Sequence, residues 1–305
     1  MTSERSKGWY NQAFNEHVLP FFGNLKVEEV SKDIVQAWVA DLRWHGNNHR
    51  KGRELSSGTV RQCIAKFRIF WRYLIEERSV AILDPCARIS VDYTPVRKKK
   101  VFNDLARKKL LIAAGRKYGW LWETLFLLYF ESLCRRGELA GLKWRYVDFK
   151  NKRFYVVNTL IVDYQRNVIE KPFPKTENSE DWVPLSDDMC QRLLKLKAIQ
   201  ESSDPAFCSN SYVFREGYRG GTWDKYIFPE FISARFRYAC KMAGLKNYTL
   251  HGTRKTGFSR LVNKGVDPMV VASIGRWKNP KVPSQHYYQV DELTKSNVMK
   301  QKLFS

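Results

Sequence analysis

His251 and Arg254 stand three residues apart in the stretch LHGTRKTGFSRLVNKG, residues 250–265. On a helix that spacing puts both on one face, a turn apart. Lys255 and Arg260 add positive charge beside them. A face of this kind is either a solvated basic surface or a place where guanidinium and imidazole groups meet an anion. Other pieces of the chain carry residues that could share such work. ESLCRRGELAGLKW brings Arg135 and Arg136, KPFPKTENSEDWVPL brings Lys175, IGRWKNP brings Trp277, and SQHYYQV brings Tyr287 and Tyr288. Each alone reads as something ordinary: a surface arginine, a turn lysine, a core tryptophan, a tyrosine pair. Their order and context together do not.

These residues must be brought together by the elements around them. The N-terminal part of the chain reads as helices. SKDIVQAWVADLRWH opens on Ser31, a candidate N-cap, and then repeats apolar residues with helical period. In SSGTVRQCIAKFRIFWRYLIEER, Val60, Ile64, Phe67, Trp71 and Leu74 fall on one face, and Arg61, Lys66, Arg68 and Arg72 on the other. A polar, Gly-rich, basic loop, RWHGNNHRKGRELSSG, lies between these helices. The pattern stops after LDPCARISVDY, and TPVRKKKVF follows with a proline and four consecutive cations, Arg97, Lys98, Lys99 and Lys100. A domain of residues 1–93, a basic linker 94–101 and a second domain 102–305 are therefore expected. In the second, NDLARKKLLIAAGRKYG reads as a helix, and WLWETLFLLYFESLC is apolar on nearly all sides, as a buried core helix would be. The segment KRFYVVNTLIVDYQRNVIEKPFPKTENSEDWVPLS is rich in Val, Tyr, Phe and Ile and predicts a small antiparallel sheet, with Lys175 on a turn. Helices resume in SDDMCQRLLKLKAIQ, PEFISARFRYACKMAG, HGTRKTGFSRLVNKG and DPMVVASIGRW, with a long loop between the first two. The fold class expected is mainly α: a helical N-terminal domain and an α+β C-terminal domain.

Composition limits the partners. The chain has 305 residues, of which 44% are apolar and 14% aromatic, enough for a substantial core and too many for a disordered chain. The formal net charge of +22 points to a polyanion, nucleic acid before an anionic membrane. No run of about 18 apolar residues could span a bilayer, and no basic amphipathic helix with an exposed apolar face stands out. The start, MTSERSKGWYNQ, lacks an apolar signal core, so secretion is not expected. Six cysteines are scattered without a CxxC pair, and five histidines show no metal-ligand spacing. Reduced, mostly buried cysteines and no metal site are expected.

The combined motifs resemble the tyrosine recombinase family: phage integrases, Xer-type resolvases and Cre-like enzymes. RRGEL, with Arg135 first, is similar to the family's R-x-[GS]-E-L pattern. Lys175 in KTENSEDWVPL takes the place of its sheet lysine upstream of a V-P-L strand. His251, Arg254, Lys255 and Thr256 match its H-x-x-R-[HRK]-T box, Trp277 in GRW its His or Trp after a glycine, and Tyr287 its C-terminal tyrosine. HVLPFFGNLKVEEVSKDIV, LSSGTV and Asp84-Pro85 extend the resemblance to a core-DNA-binding, SAM-like first domain.

The resemblance implies a site-specific DNA recombinase, or integrase, that cleaves and rejoins DNA through a 3′-phosphotyrosine intermediate. In-line attack on a phosphodiester builds negative charge on the nonbridging oxygens. Arg135 and Arg254 would hold those oxygens with fork-shaped guanidiniums. His251 would hydrogen-bond the phosphate or accept the tyrosine proton, and Lys175 would protonate the 5′ leaving oxygen. Tyr287 would be the nucleophile, with Tyr288 as the alternative. Trp277 would pack and donate through its indole near the phosphate, and Glu138 would orient a basic neighbour. No metal and no cofactor would be needed, the arginines neutralising the charge. Arg61, Lys66, Arg68, Arg97, Lys98, Lys99, Lys100 and Lys255 would contact DNA. The implied partners are double-stranded DNA with a specific core site and a homo-tetramer on two such sites. Whether accessory DNA-bending proteins take part is left open, and no membrane is involved. A cytoplasmic, prokaryotic, nucleoid-associated protein of a phage or mobile element would fit.

Two departures stand out. The family's usual offset from its His or Trp, counted from Trp277, falls on His286, one residue before Tyr287, and Pro283 interrupts the segment. The core-binding pattern also starts almost at once, without the arm-binding domain many integrases carry, as in a simpler Xer or Cre type or a trimmed chain. Two rival readings keep DNA as the partner: a type IB topoisomerase-like relaxing enzyme, and a non-catalytic DNA-binding regulator.

Overall fold

The computed structural model describes residues 4–46, 54–78, 83–91, 100–172, 182–217 and 222–277. Lys175, Tyr287, Tyr288, Arg97, Lys98 and Lys99 lie outside the described residues. The chain forms two compact units, one of 1–97 with 163–167 and one of 98–162 with 168–305.

In the first unit a helix α1 (Glu4–Ala13) runs through a π turn (Phe14–Val18) into a short α2 (Leu19–Phe22). A 3-10 turn (Val27–Glu29) leads to α3 (Lys32–His45) and then α4 (Ser57–Glu76). Ser31 and Ser56 begin the two longer helices: each hydroxyl accepts a backbone N–H of the first turn, from Ile34 at 3.3 Å and Thr59 at 3.2 Å. The apolar stripe read from α4 is the stripe that is buried: Val60, Ile64, Phe67 and Trp71, with Cys63. It packs on Val35, Trp38 and Leu42 of α3. Phe22 stacks on Phe67 at 4.6 Å and meets Trp38 edge-on at 5.2 Å. The Trp38 indole donates to the His17 carbonyl at 2.8 Å, so this buried ring leaves no polar atom unpaired.

The second unit is built around α6 (Trp120–Ser132), of whose 13 residues nine are buried, as its all-round apolarity requires. Around it lie α5 (Asp104–Tyr118), α8 (Asp187–Ser203), α9 (Pro229–Met242) and α10 (His251–Asn263). No helix among the described residues is long and apolar enough to cross a membrane. Two shorter helices of the unit are also described, α7 (Arg136–Ala140) and α11 (Pro268–Ile274).

The expected antiparallel strands are present and form two ladders. β1 (Val147–Asp148), β2 (Arg153–Tyr155) and β5 (Trp182–Pro184) form one, in the order β1-β2-β5, and β3 (Asn158–Val162) pairs with β4 (Val168–Pro172) in the other. Chain order explains the division: the β3–β4 hairpin is inserted between β2 and β5, and these two pair directly across it, Phe154 opposite Val183. The described part of the long loop before α9 is tied to the end of α8 through Arg215. Arg215 pairs with buried Asp204 at 2.5 Å and donates to Gln200, which also accepts from the Trp144 indole at 2.9 Å. All six cysteines are free; five are buried and Cys208 is exposed.

Candidate active site

α6 is ended by Leu133, whose φ of 53° turns the chain into the left-handed region. Cys134 follows, and Arg135 is the residue that caps α7. Three features of RRGEL are each used. Gly137 lies against β3: a Cβ there would collide with the Leu160 carbonyl and the Thr159 hydroxyl. Leu139 is buried in the core. Glu138, 3% exposed, turns back on Arg135, accepting its backbone N–H at 2.8 Å and its guanidinium at 2.7 Å. The Arg135 side chain remains 44% exposed.

His251 is the first residue of α10 and Arg254 lies one turn on. The two share a helix but not an environment. His251 is at the exposed end, whereas Arg254 is 1% exposed, so this is not a solvated basic face. Arg254 donates to the Leu133 carbonyl at the end of α6 and to the Gly275 carbonyl after α11. The Trp277 ring covers its guanidinium at 3.8 Å and meets Phe258 edge-on at 5.6 Å. Burial, then the positive charge of Arg135, lowers the Arg254 pKa to about 10, which leaves it protonated at neutral pH. Partial burial, then Arg254 and Arg135, lowers the His251 pKa and favours neutral imidazole. Thr256, the last residue of the box, is structural: its hydroxyl donates to the Gly252 carbonyl at 2.7 Å and accepts the Phe102 N–H at 2.9 Å.

Arg135 and Arg254 arrive from different helices at one turn. Arg135 donates to the carbonyl of Arg276 at 3.2 Å, and Arg254 to that of Gly275, the adjacent residue. Two guanidiniums thus converge within a pair of neighbouring peptide units, with His251 close enough for both to bias its titration. That arrangement can hold an anion with charge supplied in advance.

A family model, the phage integrase family, matches residues 108–293, and a second, the phage integrase N-terminal SAM-like domain, matches 2–43. The chain belongs to the phage integrase family. It is a tyrosine-type site-specific DNA recombinase. A tyrosine recombinase XerC-like protein of Caldanaerobacter subterraneus subsp. tengcongensis is 27% identical over 94% of this chain and 75% of that protein. Among solved structures, the Tn1549 transposon integrase in complex with a circular intermediate DNA aligns with a TM-score of 0.77 at 15% identity, over 98% of this chain and 94% of that one. A lambda integrase dimer bound to a core site aligns with a TM-score of 0.67 at 16% identity, over 94% and 72%. The mainly helical fold with small antiparallel ladders is therefore the integrase fold.

Within this integrase, Arg135, His251, Arg254 and Trp277 come together. Trp277 is half-buried and stacks its ring face on Arg254, so its part in the site includes packing as well as any indole donation. The basic residues read as DNA contacts differ among themselves. Arg61 is exposed and reaches the Val91 carbonyl at 3.3 Å. Lys100 is exposed and Lys255 half-buried. The Lys66 ammonium lies over the Trp9 ring at 4.8 Å. Arg68 works inside its unit, donating to the Cys86 carbonyl at 2.5 Å and facing Asp84 at 3.8 Å. Sequence reasoning missed Arg276, whose side chain is 7% exposed and donates to Glu138 at 2.8 Å and to the Cys134 sulfur at 3.2 Å. Only its place directly after Gly275 and before Trp277 could have signalled it.

Proposed function

We propose that this integrase cuts and rejoins duplex DNA at a defined core site, with Arg135 and Arg254 holding the scissile phosphate. The observation that carries this assignment is the convergence of both arginines on the consecutive carbonyls of Gly275 and Arg276. His251, neutral at physiological pH, accepts the nucleophile's proton or bonds the phosphate. Lys175 protonates the 5′ leaving oxygen, and Tyr287 forms the 3′-phosphotyrosine. Residues 1–93 serve as the core-binding domain, 94–101 as a basic linker along phosphates, and 102–305 as the catalytic domain. The protein acts as a tetramer on two sites in the cytoplasm of a prokaryote, carried by a phage or mobile element. The relatives support this setting: one neighbour is the integrase of a transposon with its circular intermediate DNA, and another is a lambda integrase tetramer on a Holliday junction.

The test is covalent capture. Wild-type protein is offered a library of nicked duplexes with randomised cores, in EDTA, and adducts are isolated and sequenced. Tyr287→Phe is expected to bind the selected duplex and form no adduct, while Tyr288→Phe still forms one. The reverse pattern reassigns the nucleophile to Tyr288. Adduct in both variants removes the tyrosine mechanism, and a strict need for a divalent ion removes the role given to the arginines.

A further inference from the structure

Arg276 occupies a backbone position that suits glycine. Its φ is 59°, in the left-handed region that side chains with a Cβ rarely adopt. Its guanidinium is nevertheless buried, and it points inward at a carboxylate. Glu138, whose side chain is 0% exposed, is shared: Oε1 accepts from the Arg135 guanidinium at 2.7 Å, and Oε2 accepts from the Arg135 backbone at 2.8 Å and from Arg276 at 2.8 Å. The interior thus holds one anion between two cations, of which only Arg135 reaches solvent.

The charges of this cluster explain why an arginine is kept there. Glu138 alone with Arg135 would make a neutral pair, and a buried carboxylate would hold the Arg135 guanidinium against any competing phosphate. With Arg276 on the other oxygen, the cluster retains a net positive charge, and Arg135 is its exposed member. Arg276 also places its own carbonyl under the Arg135 fork, at 3.2 Å. One residue therefore sets both the position of Arg135 and the charge it can offer.

We propose that Arg276 is a positioning residue for the recombination reaction: by sharing Glu138 it leaves Arg135 free to neutralise the scissile phosphate. The proposal rests on the phosphate-holding role assigned to Arg135 above. It predicts a defect of charge, which can be told apart from a defect of folding. Arg276→Gly keeps a backbone suited to the left-handed turn while removing the guanidinium. Arg276→Lys keeps the charge without the fork.

The experiment uses the full chain and the duplex selected by wild-type adduct formation. It measures single-turnover cleavage, duplex affinity and thermal melting on two substrates. One has the natural phosphodiester. In the other a methylphosphonate replaces the scissile group, which removes its negative charge. Arg276→Gly is expected to cleave the natural substrate about 10- to 100-fold more slowly, the scale on which supporting partners of a reacting group act. Its affinity should stay within about threefold of wild type, because phosphate contacts elsewhere dominate binding. On the methylphosphonate its deficit should shrink, and Arg276→Lys should recover most of the natural rate. Wild-type cleavage by Arg276→Gly overturns the proposal, as does an equal deficit on both substrates. If Arg276→Gly does not fold, Arg276→Lys decides: a rate near wild type supports the proposal, and an equal large deficit on both substrates overturns it. Failure of the wild-type protein to form any adduct would instead overturn the underlying reading, and it would be seen before any substitution is made.

Discussion

The two arginines that converge on the turn at 275–276 answer to different demands, and their alanine variants should separate them. Arg135 is partly exposed, and Glu138 keeps Arg276 when it is gone. Arg135→Ala is expected to cleave about 100- to 1,000-fold more slowly, the scale of losing a preorganised charge donor, with melting and duplex affinity little changed. Arg254 is buried and donates to two carbonyls that no water replaces easily. Arg254→Ala should show the same loss of cleavage and a stability loss of about 1–3 kcal/mol for each carbonyl left without its donor. Melting curves beside single-turnover rates check both. His251 adds a pH dependence of known sign. Its folded pKa lies below the unfolded value of about 6.5, so the unfolded chain binds the proton more readily. Its contribution is fully present above that value and is lost as pH falls through the window below it. His251→Gln should therefore lose less stability than wild type on acidification from about pH 7.5 to about 5.5, a range that spans the ordinary imidazole pKa.

At the scale of elements, the contact between α7 and β3 matters most to the site, because Arg135 caps α7 and β3 leads into β4, the strand before Lys175. Gly137 makes that contact close. Gly137→Ala must push the β3 backbone away, an overpacking cost of about 1–3 kcal/mol. Cleavage is expected to fall more than duplex affinity, and a variant as active and as stable as wild type would show the contact to be slack. Much of this level was legible in the sequence. The stripes of α3 and α4 and the all-round apolarity of α6 follow from period and capping, which are local properties. The division of the strands into two ladders was not, because pairing β2 with β5 across an inserted hairpin is a long-range choice that composition does not encode. In the site, Arg135, His251 and Arg254 stood out because their motifs are distinctive. Arg276 did not, since an arginine beside a tryptophan reads as surface charge and a left-handed φ leaves no trace in residue type. The Arg68 bond to Cys86 was not legible either, for the related reason that a cation's partner can be a carbonyl 18 positions away.

For the whole molecule, a formal charge of +22 implies binding that releases counterions. The logarithm of duplex affinity should fall linearly with the logarithm of salt between about 50 and about 200 mM, with a slope of about −0.9 for each phosphate neutralised. Fluorescence anisotropy on a duplex of arbitrary sequence measures it, and an affinity insensitive to salt would exclude phosphate contacts as its source. Cations spent internally, such as Arg215 and Arg276, should not contribute to that slope. The distribution of cysteines has a different use. Five thiols are buried, and burial pushes those of Cys86 and Cys240 up to about 12. Cys208 is exposed, and a hydrogen bond with the Ser211 hydroxyl draws its thiol pKa down. A maleimide dye at neutral pH should therefore attach once per chain, at Cys208, without any engineering of the protein. Counting bleaching steps of single labelled complexes on immobilised duplexes would then read the number of protomers directly, four steps for a synapse of two occupied sites and two for a single site.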